Sequence, residues 1–159
     1  MLATQDVWVS STADLPNEER TERLNQHAHV IDVQMLSFAQ EAAEFDRSKA
    51  WDEEGSNSAI DSIRFNCHMT SNAAADLIAV GKNLYRMPNS VEALFRGEIG
   101  FAHLKAMART AIALGDKFDE APLLEKAREN SPDKSSITSA TTTGTPPTAK
   151  AMRRSRQSW

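Results

Sequence analysis

Four histidines, one cysteine and one acidic turn are the residues of this chain best suited to chemistry. His27, His29, His68 and His103 supply imidazoles, which can ligate a metal or move a proton near neutral pH. None lies at zinc-ligand spacing from a cysteine or a carboxylate. His27 and His29 are two apart on a predicted helix, so they point in different directions. Cys67 has no base beside it in the sequence and reads as a buried structural thiol rather than a nucleophile. Asp52, Glu53 and Glu54 form one charged turn, which reads as a solvated loop. Gly97 and Gly100 fit no phosphate-binding loop. The pattern predicts no catalytic residue, no metal site and no cofactor in this chain.

Positive charge is the other candidate chemistry. The segment 60–69 followed by 71–85 reads as helix, tight joint, helix, the geometry of a helix-turn-helix whose second helix would enter a DNA groove. The exposed face expected for that second helix carries Asn72, Asp76, Lys82, Asn83 and Arg86. Lys82 and Arg86 are candidate phosphate contacts, Asp76 opposes phosphate, and the usual glycine of the turn is missing. Ordinary packing of a helical hairpin is the competing expectation. Near the C-terminus, Lys150, Arg153, Arg154 and Arg156 form a basic run that could displace counterions from DNA or simply be a solvated end.

The elements that must position these residues are helices. Asp14 and Pro16 mark a helix start, with Glu18 and Glu19 at the positive end of its dipole. A long helix over about 17–49 follows. Leu24, Ile31, Phe38 and Phe45 recur every seven residues, with Ala28, Met35 and Ala42 between them, which is a coiled-coil type of seam. It could pack on the chain's own core or on another chain. Trp51 to Gly55 breaks this helix, Gly55 supplying a positive φ. Ser56 or Asn57 is expected to cap a helix over 58–67, with Ala59, Ile60, Ile63 and Cys67 on one face. Thr70 or Ser71 caps the next, with Ala74, Leu77, Ile78, Gly81, Leu84 and Tyr85 inward; Gly81 implies close approach of another helix. Pro88 ends it.

Asn89 to Glu92 has capping-box spacing and opens a short helix with Val91, Leu94 and Phe95 inward, closed by Gly97. A helix over 101–114 buries Leu104, Met107, Ala108 and Ala111 and stops at Gly115. A last helix opens at 119–122, burying Leu123, Leu124 and Ala127. The expected core is Ile63, Leu77, Ile78, Leu84, Leu94, Phe95, Leu104 and Met107. From Ser135 the composition turns to Ser, Thr, Ala, Gly and Pro, which cannot bury enough surface to offset its ordering entropy. That abrupt change is read either as a genuine disordered tail or as a frameshift product.

At 159 residues, with 40% hydrophobic and 25% charged side chains, the chain suffices for one ordinary domain with a modest core. A net charge of −4 argues against a nucleic-acid footprint over the whole surface. No apolar run reaches membrane-span length, and 1–13 reads as a loose lead-in without the pattern of an export signal, so no membrane and a cytoplasmic location are expected.

Trp51, Gly55 and Ser58, then Ala74, Val80-Gly-Lys-Asn-Leu84 and Met87-Pro88, then Gly97-Glu-Ile, His103 and Ala108 stand in a familiar order. Over about 24–132 the chain resembles the domain of unknown function 222 family, typical of actinobacteria. There a glycine and serine precede a helix, an alanine-rich helix ends in Leu-x-x-x-Pro, and Gly-Glu-(Ile/Leu)-x-x-x-His follows. The family's tryptophan near the second helix is replaced here by Ile60 or Ile63. In that family the helical domain usually precedes a metal-dependent HNH nuclease module, so the resemblance implies an association with DNA cleavage. This sequence is expected to stop before that module, so no catalytic residue carries over, and a divalent metal belongs only to the missing module.

The expected architecture is all-α: about six helices over 14–132 with one long N-terminal helix packed on shorter ones, then a disordered tail over 133–159. Two readings of function stay open. One is the non-catalytic helical part of an HNH-endonuclease-like protein, associated with DNA. The other is a protein–protein or dimerisation module built on the Leu24–Ile31–Phe38–Phe45 seam.

Overall fold

A computed structural model describes residues 15–130, and among them it contains helices and no strands. There are seven α-helices, here numbered α1 (Asn17–Ser48), α2 (Ala50–Glu53), α3 (Ala59–Asn66), α4 (Ser71–Asn83), α5 (Pro88–Phe95), α6 (Phe101–Leu114) and α7 (Glu120–Glu129). Short 3-10 turns cover Leu84–Arg86 and Gly115–Lys117. The extra helix beyond the expected six is the single turn α2. The expected lead-in over 1–13, the Asp14 cap and the tail over 133–159 lie outside the described residues. No helix among the described residues is long and apolar enough to cross a membrane.

At the centre stands α4, packed against α1, α3 and α6. Its buried side chains are Ala74, Leu77, Ile78, Val80 and Asn83. Thr70 caps it, its hydroxyl oxygen accepting the Ala73 N–H at 3.1 Å. Gly81 lies where α1 crosses. A Cβ there would stand 2.0 Å from the Ala39 carbonyl oxygen and 2.6 Å from the Ala43 Cβ. Three small residues thus let two backbones touch, as the lone helical glycine predicts.

Only the second half of α1 takes part in this core. Leu36, Ala39 and Ala42 are buried, and Val33, Met35, Phe38 and Phe45 pack beside them. At 1.5 Å per residue, its 32 residues span about 48 Å. From Pro16 to Ile31 every residue is exposed except the half-buried His29. Lys49 ends the helix in left-handed backbone (φ 56°), two residues ahead of the expected break at Trp51.

Several local expectations need correction. Ser58, rather than Ser56 or Asn57, caps α3, because its hydroxyl oxygen is the one that reaches the Asp61 N–H (3.1 Å). Cys67 is exposed, not a buried thiol: it is the C-terminal flanking residue of α3, where the helical face has already ended. Tyr85 is 81% exposed because α4 tightens to a 3-10 turn at Leu84 and the helical register is lost. Phe95 is 55% exposed, and Ala93 and Leu94 carry the core instead.

The capping box expected at Asn89 does not form. Pro88 is itself the first residue of α5, since it lacks the N–H that this position would leave orphaned. Glu92 pairs with Arg96, and the cap comes from a distant residue. Glu120, the first residue of α7, accepts the Ser90 N–H at 2.6 Å and the Ser90 hydroxyl at 2.8 Å. A carboxylate at a helix N-terminus is favoured by the helix dipole.

Candidate functional site

Gly97 to His103, one of the stretches behind the resemblance, forms the joint between α5 and α6. Gly97 has a φ of 76°, and around it the α5 terminus closes with the Gly97 N–H on the Leu94 carbonyl and the Glu98 N–H on the Ala93 carbonyl, both at 2.9 Å. This is a glycine-terminated helix end that a side chain at Gly97 would strain. Ile99 is buried behind it. Asp32 of α1 then accepts the Phe101 N–H at 3.0 Å and so caps α6. Its other carboxylate oxygen would lie 3.1 Å from a Cβ at Gly100.

His103 completes the joint from inside. Its Nδ1 accepts the Gly100 N–H at 3.0 Å, which assigns the ring hydrogen to Nε2. Nε2 in turn donates to the Asn130 carbonyl at 2.8 Å, just past the end of α7. Both ring nitrogens are therefore engaged with backbone, and the imidazole links the start of α6 to the end of α7. Nearby, Arg128 donates to Glu98 at 2.8 Å, a bond that holds the guanidinium above its usual pKa range. His29, Asp32, Glu98 and His103 line a shallow polar hollow of about 440 Å³ over this joint. His29 faces Gly97, whereas His27 and His68 are exposed and lie elsewhere. No group of three or more His, Cys, Asp or Glu placed to hold a metal occurs among the described residues.

The basic candidates on α4 are engaged within the molecule. Lys82 forms an ion pair with Asp46 of α1. Arg86 donates to the carbonyls of Ala111, at 2.9 Å, and Gly115, and to Asn83 Oδ1, while its guanidinium stacks 5.0 Å from the Phe118 ring centroid. It thereby caps the C-terminus of α6, where cations are favoured. Asp76 is held by Arg109 through three bonds of 2.8 to 3.2 Å. Asn83 is buried and bonded to the Ala79 carbonyl. Four of the five residues expected on the DNA-reading face thus have partners within the molecule, Asn72 being exposed, and α4 is the central core helix. Lys150, Arg153, Arg154 and Arg156 lie outside the described residues.

The proposed seam divides into two parts. Leu24 is 64% and Ile31 59% exposed. Phe38 and Phe45 instead run into the body, where with Glu41, Ala42, Glu54, Ser62, Ile63, Asn66 and Cys67 they line a cleft of about 330 Å³. On its floor Asn66 donates to Ser62, which donates to Glu54 at 3.0 Å.

Sequence periodicity did not find Asp32, Ser90, Glu120 or the Asp76–Arg109 pair. Asp32 left one trace: it is a carboxylate one turn ahead of Leu36, on the buried stripe. No family model matches this chain, and neither a curated protein nor a solved structure matches it significantly.

Proposed function

We propose that this chain is the non-catalytic helical part of an HNH-endonuclease-like protein, serving to position DNA or a partner rather than to cut. The observation that carries this reading is the use of the resembling motif. Gly97 closes a helix end, both ring nitrogens of His103 are bonded to backbone, and Glu98 is paired with Arg128. A motif used this way identifies a frame, and function then belongs to what the frame carries.

DNA association, on this reading, falls to basic groups other than the committed Lys82 and Arg86, with Lys150, Arg153, Arg154 and Arg156 as the candidates. Four phosphate contacts predict a log–log salt slope of about −3.6 for duplex DNA, flattened when the four are replaced by alanine. Fluorescence anisotropy with a labelled duplex measures it. Absence of binding by the wild-type chain at low salt would remove DNA from the reading. Plasmid cleavage by the pure chain with magnesium, manganese or zinc, abolished by a chelator, would overturn its non-catalytic part.

The exposed Leu24, Val30 and Ile31 favour a second reading, a helical protein–protein or dimerisation module.

A further inference from the structure

The free half of α1 has features of a self-complementary pairing surface. Leu24, Ala28, Ile31 and Met35 carry the 4-3-4 seam along α1; the first three are exposed, Ala28 at the edge of the hollow over the α5–α6 joint, and Met35 packs beside the core. Of the flanking positions, Asn25, His27 and Gln34 hold no carboxylate or permanent cation, and the fourth, Asp32, already accepts the Phe101 N–H. Resting on the interaction reading above, we infer that α1 pairs with α1 of a second copy, antiparallel and two-fold symmetric, with Leu24 against Met35 and Ala28 against Ile31.

Charge and burial select this register. In an antiparallel pair, the residues beside the seam meet their equivalents across it. Here Arg20 falls opposite Glu41 of the second copy, His27 opposite Gln34, and Asn25 opposite Asp32, with no like-charge pair. Sliding one heptad toward the body sets Asp32 against Asp32 and Glu18 against Asp46. It also requires Ala42, only 3% exposed, to face the partner. Sliding one heptad outward sets Glu18 against Asp32. Parallel pairing stacks Ala28 on Ala28, which leaves a gap. It also brings both α3 helices, which already cover the seam at Phe38 and Phe45, to the same end. The antiparallel register instead matches small to large residues, and beyond Met35 it asks only the first helical turn of the second copy to reach the body.

An overlap of two heptads lies near the small end of specific interfaces, about 1,200 Å² of total buried surface, so the dissociation constant is expected on the order of 10–100 μM. Sedimentation equilibrium over a concentration series tests this. The wild type should dimerise, and Ile31→Asp should weaken dimerisation about 100-fold or more, because each interface contains two copies of the change. Ile112→Asp, an equally exposed apolar position on α6, should leave it unchanged. Both sites are solvent-facing, and circular dichroism checks that each variant folds. Direction is read by pulsed electron paramagnetic resonance on a spin label at Glu18→Cys with Cys67→Ser. The antiparallel register separates the two labels by about 35 Å along the axis, whereas a parallel pair brings them side by side. A wild type that stays monomeric at about 500 μM, a dimer indifferent to Ile31→Asp, or a short label distance would each overturn the inference. A monomer that still shows salt-dependent DNA binding would leave the DNA reading standing.

Discussion

At the scale of single residues, the polar side chains of this protein hold backbone. Arg86 is the clearest case. From composition it looks like a free cation near the end of a helix; in the fold it joins two carbonyls at the end of α6 and covers Phe118. Arg86→Gln should therefore cost about 1–3 kcal/mol in denaturant melts, because it leaves the carbonyl of buried Ala111 without its charged donor. It should leave DNA affinity untouched. A variant of full stability with weakened DNA binding would reverse the assignment. The carboxylates behave likewise: Asp32 and Glu120 each cap a helix far away in sequence. Reading apolar periods cannot find such residues, since the partner of each lies 30 or 69 positions away.

At the scale of elements, the crossing of α1 and α4 sets the rest of the packing. Gly81→Ala would normally gain up to ~1 kcal/mol of helix propensity. Here the added methyl meets a backbone carbonyl that no rotamer change can move, so a net loss of about 1–3 kcal/mol is expected in thermal or chemical unfolding. A neutral result would mean that the two helices have slack to part. This crossing was legible in the sequence, because a glycine inside an otherwise strong helical period has few other uses. So were the bounds of α6, whose apolar row and terminal glycine agree. The inward faces failed where helices end. Cys67, Tyr85 and Phe95 all sit in a last turn or just past it, where the 100° step per residue no longer applies. Ser90 and Asn83 failed the other way: polar side chains that are bonded can be buried, and hydrophobic patterning counts them as exposed. The seam divides: Phe38 and Phe45 pack on the chain's own core, while Leu24 and Ile31 are exposed.

At the scale of the whole molecule, α1 is one helix with two levels of support. In dilute solution, amides from Glu22 to Ile31 should exchange with solvent far faster than those from Leu36 to Phe45, because only the latter are locked under α4. Native-state hydrogen exchange measures this, and equal protection along α1 would show that the outer half has support of its own. The ties at the joint have a further consequence for layout. Asp32, near where α1 leaves the body, bonds to Phe101; His103, two residues along, bonds to Asn130. The chain's exit from α7 is therefore anchored beside the root of the projecting helix, although nearly a hundred residues separate the two in sequence. Any module continuing from Asn130 would begin its tether at that root. Its local concentration against the projecting helix would be set by linker length and not by diffusion through bulk solution.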